Sequence, residues 1–231
     1  MLCTCSGKRD ILRYQPISKM NCNCGRNNIK TILNTTDLSA TIYYYVMKTV
    51  KRDGDILRHT GSGPNWQGGV ITLCTCKHLM RTYPDIKRGT WIAGFSNFEA
   101  GEGNNFLMYL MRVRQTCESH FTLWNFLPEE VREAKATDMN PLGDIYRPLG
   151  IETQESPFDP AMYSKPCRNH SHKHNWRKDI KYITKKGIHP LLLTGDVKYS
   201  FVWNQCIITL KGNIGRGQRR LDLAEFLKHL Q

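Results

Sequence analysis

Two short stretches carry the residue types that acid–base chemistry needs. In GDIYRP (143–148), Asp144, Tyr146 and Arg147 place a carboxylate beside a phenol and a guanidinium. Such a carboxylate can act as a general base or hydrogen-bond the edge of a nucleobase. The alternative is a turn in which Asp144 caps its own backbone. In CRNHSHKHNWRKD (167–179), His170, His172 and His174 recur at a spacing of two, so an extended chain points the three imidazoles the same way. One of these histidines, with Asp179, could exchange protons or contact phosphate. The three together, with Asp179 as a fourth ligand, would make a metal site, although such sites usually draw ligands from separate elements. A solvated polar loop is the plain alternative.

Three further stretches suit binding. GSGPNWQGGVITLCTCKHLMR (61–81) has Gly61, Gly63, Gly68 and Gly69 for close backbone approach, Trp66 as a stacking face, and Lys77 and Arg81 as phosphate partners. Its alternative is a surface loop followed by an edge strand, with Trp66 as a core plug. Cys74 and Cys76 share one face of that strand, which is an ordinary packing arrangement. GRGQRR (215–220) combines mobile backbone with Arg216, Arg219 and Arg220, suited to gripping phosphate. It lacks the Lys-Ser/Thr of a phosphate-binding P-loop, which disfavours nucleotide hydrolysis by that route. Cys3-Thr-Cys5 and Cys22-Asn-Cys24 form two thiol pairs with one intervening residue, where zinc knuckles have two. No cofactor is required by the sequence, and zinc is the one these pairs could take.

These residues sit in a chain of 231 residues with 33 Lys+Arg against 20 Asp+Glu, a net charge of +13. An excess of that size draws polyanions, most commonly nucleic acid, and says nothing about fold. No apolar run approaches the length of a spanning helix, so no membrane partner is expected. FLMYLM (106–111) is strand-sized. The first residues, MLCTCSGKRD, lack the apolar core of a secretory signal. With nine cysteines, an odd count, the expectation is a reduced, cytoplasmic protein.

The elements that must position these residues read as an α+β domain over 41–231, preceded by a cysteine-containing appendage over 1–40. Strands are expected at 41–50, 70–77, 106–116, 189–197 and 199–210, and 86–97 reads as a turn leading into a short strand. Residues 53–69 read as a Gly/Pro-punctuated loop, and 138–178 as a long ordered loop of the kind that carries function. Helices are expected within 122–136, best defined from Pro128 with Glu129 and Glu130 in its first turn, and over 221–230, where Leu223, Phe226, Leu227 and Leu230 share a stripe. The sum is a mixed or barrel-like sheet with two or three flanking helices.

Taken in order, these stretches resemble the nucleotide modification associated domain family, second type. The resemblance is carried by YYYV (43–46), GSGPNWQGGVITLCTCK (61–77) with Arg81, RGTWIAG (88–94), FLMYLMRV (106–113), GDIYRP, the His-rich segment before Asp179, HPLLLTGDVKYSFVW (189–203) and GRGQRR. It covers roughly residues 41–231. The family has Gly-Asp-Trp where this chain has Gly89-Thr90-Trp91, and Lys-Pro where it has Lys77-His78; His172 and His174 both remain counterparts for the family histidine. The resemblance implies a role around modified or hypermodified bases in DNA, in phage and bacterial settings. It implies catalytic candidates Asp144, Tyr146, His172, His174 and Asp179. For substrate and phosphate it implies Gly63, Asn65, Trp66, Thr72, Lys77, Arg81, Trp91, Arg147, Arg216 and Arg219. The order of strands and Gly loops is also similar to PUA-like barrels, which read modified bases by flipping them into a pocket. Three functions follow: a module that binds a modified base in DNA, an enzyme that alters such a base in DNA or as a free nucleotide, and a basic DNA-binding or structural protein without catalysis. Convergence of the motifs at one concavity separates the first two from the third.

Overall fold

TIYYYVM makes β1 (Thr41–Met47) because aromatic and β-branched side chains fit a pleated surface, and five of its seven residues are buried. The computed structural model describes residues 37–203, 208–212, 214–215 and 217–231. Seven further strands follow: β2 (Val50–Asp53), β3 (Ile56–His59), β4 (Thr72–Leu73), β5 (Trp91–Ser96), β6 (Leu107–Cys117), β7 (Leu192–Val202) and β8 (Gln218–Asp222). β2 and β3 form a hairpin of their own. The other six are hydrogen-bonded in the order β4–β7–β6–β5–β1–β8. The sheet is mixed, since β1 runs parallel to β5 and antiparallel to β8.

By contacts, the described residues cluster into two compact units. The first comprises Gly61–Ile86 and Gln115–Thr194; the second takes 37–60, Lys87–Arg114 and Gly195–Gln231. Ile42, Trp91, Phe95, Leu110 and Phe226 belong to the core of the second unit. Each large apolar side chain buried there contributes on the order of 1.5–3 kcal/mol. In the first unit, Leu123, Trp124, Val131 and Ile145 form one core, and Tyr146, Tyr163, Trp176 and Ile180 a second.

Four α-helices are present among the described residues: α1 (His120–Phe126), α2 (Glu129–Lys135), α3 (Trp176–Ile180) and α4 (Leu223–His229). Two or three were expected. Ser119 caps α1 by accepting from the Thr122 N–H at 3.1 Å, and Leu127 ends it in extended backbone. Pro128 lies just before α2 as its cap, with Glu129 and Glu130 in the first turn and Arg132 and Lys135 in the last, matching the helix dipole. Asp222 caps α4 through the Glu225 N–H at 2.7 Å.

Several boundaries differ from the sequence reading. The loop expected over 53–69 contains β3, because Gly54, at φ 59°, supports a tight turn between β2 and β3. The strand expected over 70–77 shortens to two residues, and those expected at 189–197 and 199–210 are one strand across 192–202. Residues 218–220, read as part of a basic loop, open β8. Between Ala136 and Asn175 the chain runs mainly in turns and 3-10 segments, as the long ordered loop anticipated. Among the described residues no helix is long and apolar enough to cross a membrane.

Candidate functional site

The site lies wholly in the first unit and is built around two buried carboxylates. Asp179, on α3, is held by Trp176 and Ile180, which bury the same short helix in the Tyr146–Tyr163 core. Its side chain is 6% exposed. Oδ2 accepts from the Tyr146 hydroxyl at 3.0 Å and from His172 Nδ1 at 2.6 Å. Burial, followed by the charge of Asp179, pushes the Tyr146 phenol well above its ordinary range, so it remains a donor. Oδ1 makes no hydrogen bond among the described residues; its nearest charged-type neighbour is His78 Nε2 at 3.7 Å. His78 stacks on Tyr182 at 4.4 Å, and burial, then the Arg81 charge, lowers its pKa to about 4. A neutral imidazole at that distance leaves Oδ1 available.

Asp144 occupies a different environment. It is fully buried, Oδ2 accepts from Thr72 Oγ1 at 2.7 Å, and Oδ1 has no hydrogen-bond partner. Burial raises its pKa, opposed chiefly by the Lys135 ammonium. Lys135, also fully buried, donates to the Asn65 carbonyl at 3.0 Å and to Asn65 Oδ1 at 2.9 Å. Desolvation lowers its pKa to about 8, partly offset by Asp144. The pair comes together because Gly143 lets the chain pass against the end of α2: a Cβ there would stand 2.6 Å from the Lys135 carbonyl and 2.9 Å from Thr137 Cα.

A narrow cleft lies beside Asp179. Its walls include Cys74, His120, Phe158, Asp179, Tyr182 and His189, and it is tight, with room for little more than a water molecule. Arg81 also reaches the cleft, but its guanidinium is turned to structure. Nε donates to the Cys76 carbonyl at 2.8 Å, one terminal nitrogen to the Cys74 carbonyl at 2.6 Å, and the other to the Leu191 carbonyl.

The motif residues fall into two hydrogen-bonded groups, Tyr146 and His172 on Asp179, and Thr72 on Asp144 with Lys135 on Asn65, while Arg81 bonds backbone carbonyls. Asn65 and Thr72 hold their own loop, pairing backbone to backbone at 2.9 and 2.7 Å, rather than facing open space. Gly63 packs its backbone against the Cys76 side chain. Trp66 and Lys77 are half-buried, the latter at φ 55°. Arg147 is engaged by Glu133 at 2.5 and 2.8 Å and by Asp138 at 2.8 Å, over the Trp124 ring. Trp91 is fully buried in the second unit, where it meets Tyr199 edge-on, and Arg219 is exposed on β8.

The histidines do not act as a trio. His170 donates Nε2–H to the Gly143 carbonyl at 2.9 Å and accepts the His172 N–H at Nδ1, and burial lowers its pKa to about 4. His174 is exposed. Among the described residues no group of three or more His, Cys, Asp or Glu is placed to hold a metal ion. Cys3, Cys5, Cys22, Cys24 and Arg216 lie outside the described residues.

Sequence reasoning passed over Lys135, His120, Phe158, Tyr182 and His189. Lys135 ends an amphipathic helix, where a lysine ordinarily faces water, and only the approach of Gly143 buries it. No family model, curated protein or solved structure matches this chain.

Proposed function

We propose that the chain is an enzyme directed at a modified or hypermodified nucleobase in DNA, and that Asp179 exchanges the proton in its reaction. The observation that carries this reading is the division of the Asp179 carboxylate. Tyr146 and His172 fix one oxygen, while the other makes no hydrogen bond among the described residues, and the residue borders a narrow cleft. A group held in that way is preorganised for general acid–base catalysis, which contributes about 10²–10⁴ in rate. Asp144, with no exposure, supports the fold of the site rather than touching substrate.

The DNA partner follows from the net charge of +13 and from the motif order that resembles the nucleotide modification associated family. The same resemblance supports a PUA-like, barrel-type sheet and delivery of the base by flipping, whose cost of a few kcal/mol stacking can offset. Cys74, Cys76, Cys117 and Cys167 are free thiols, which suits the reducing, cytoplasmic setting of this proposal.

The test is mass spectrometry of nucleosides from base-modified DNA incubated with the protein. The wild type is expected to convert a modified nucleoside, and Asp179→Asn to leave it unchanged while still binding DNA. Conversion of the free nucleotide alone would move the substrate off the polymer. Nucleoside profiles identical with and without wild-type protein would defeat the enzymatic reading.

A further inference from the structure

The segment that carries Asp179 also carries cations that the fold does not use. Residues 173–186 hold six Lys and Arg, and their one acid is Asp179, which is turned inward onto Tyr146 and His172. Other cations of the first unit are engaged internally: Arg81 on backbone carbonyls, Lys135 on Asn65, Arg147 on Glu133 and Asp138. By contrast Lys173, Arg177, Lys178, Lys181, Lys185 and Lys186 are all exposed. Among the described residues no carboxylate pairs with any of the six.

The short helix α3 sorts these side chains. Trp176 and Ile180 are buried four residues apart, so they share its inward face. At 3.6 residues per turn, Arg177, Lys181 and Lys178 then fall on an outward arc of about 100°. Beyond the helix, Lys185 and Lys186 occupy a closed turn. The Gly187 N–H donates to the Thr184 carbonyl at 2.9 Å, and the Thr184 N–H to the Ile188 carbonyl at 3.0 Å. The foot of the turn is fixed where His189 Nδ1 donates to the Tyr182 carbonyl at 2.8 Å. Both of those residues wall the cleft beside Asp179.

We infer that the outward arc of α3 and the Lys185–Lys186 turn form a surface that takes the phosphate backbone of duplex DNA past the Asp179 cleft. The inference rests on the DNA-directed reading above and assigns it a face. Like charges gathered so closely repel one another, a cost that phosphates at the surface remove. A lone phosphate needs donors that converge on it, whereas these fan out, as suits a chain of regularly spaced charges. A membrane-surface helix needs a broad apolar face, but both apolar residues of α3 are buried. Ile183 and Ile188, exposed beside the turn, are too few to supply one.

The test is binding of duplex DNA to the full-length protein, followed by fluorescence anisotropy across a salt series. The triple variant Arg177→Gln, Lys178→Gln, Lys181→Gln should bind about 10–100-fold more weakly, with the slope of log K against log salt reduced by about two to three. A charge-matched triple in the second unit, Lys48→Gln, Lys51→Gln, Lys87→Gln, removes exposed cations elsewhere and should change the slope by less than about one. On the wild type, DNA should shield Lys178, Lys181, Lys185 and Lys186 from acylation and leave Lys48 and Lys87 reactive, an outcome that needs no variant to fold. Equal losses in the two triples, or no shielding, would overturn the inference and leave DNA binding standing. Tighter binding to phosphatidylserine vesicles than to DNA would overturn it in favour of a membrane surface. Failure of the wild type to bind any duplex, base-modified or not, would overturn the DNA-directed reading and this surface with it.

Discussion

His172 Nδ1 lies 2.6 Å from Asp179 Oδ2, a charge-assisted contact on an oxygen that also accepts the Tyr146 hydroxyl at 3.0 Å. In the proposed reaction His172 and Tyr146 are therefore positioning residues, and Asp179 is the group they aim. Removing His172 should leave the carboxylate present but loosely held. His172→Ala is expected to lower kcat by ~10–100-fold, since small misplacements of reacting groups are costly. Tyr146→Phe should lower it about tenfold through one lost hydrogen bond. KM for the nucleoside should change little in either variant. A fall confined to KM would assign both residues to substrate binding instead.

Stability should fall on mild acidification. His78 and His170 have folded pKa values of about 4, and His120 of about 3, against 6.5 in the unfolded chain. Their neutral forms are favoured by folding, so this contribution is complete above pH 6.5 and is lost as pH falls toward 4. By pH 5 each should cost about 2 kcal/mol. Asp144, raised by burial, works in the opposite sense at the acid end. Urea midpoints measured from pH 7 to 5 should drop steadily, and His170→Asn should reduce the slope by about a third. A flat midpoint over that range would contradict the buried, neutral histidines.

Gly143→Ala tests the approach that brings Asp144 to Lys135. The added methyl would meet backbone on two sides, at 2.6 and 2.9 Å, with no flexible side chain to yield. A loss of about 1–3 kcal/mol is expected from overpacking. Thermal unfolding measures it, and an unchanged midpoint would show that the turn relaxes freely.

The arginines should separate by salt dependence. Arg147 is tied to Glu133 and Asp138, whereas Arg219 is exposed. Arg219→Ala should weaken DNA binding across sequences and reduce the slope of log K against log salt by about one. Arg147→Ala should leave that slope intact and lower stability by up to about 1 kcal/mol. The reverse pattern would make Arg147 the phosphate contact.

Long apolar runs made the interior of the fold legible: FLMYLMRVRQT announces β6 within a residue at either end, and the Leu223–Phe226 stripe announces α4. β8 was hidden because its Gln-Arg-Arg start reads as a solvated basic turn; only pairing with β1 makes it a strand. Residues 122–136 read as one helical stretch, which Pro128 divides into α1 and α2. Within the site, Asp144, Tyr146, His172 and Asp179 carried recognisable chemistry at recognisable spacings. The cleft walls did not, since Phe158, Tyr182 and His189 are scattered through a segment without periodicity and acquire meaning only by stacking on partners elsewhere in the first unit. Asn65, Thr72, Arg81 and Arg147 were legible as polar groups, yet residue type alone could not reveal that each is satisfied internally.

Arg81 fastens the carbonyls of Cys74, Cys76 and Leu191 with one planar head. Burial draws its pKa down, but a guanidinium starts so high that it stays charged under ordinary conditions. The clasp is thus insensitive to acidity, while the imidazoles around it are not. As the medium sours, the first unit should loosen at its histidines while these two stretches of chain remain buckled together, along seams set by which cations can be titrated and which cannot.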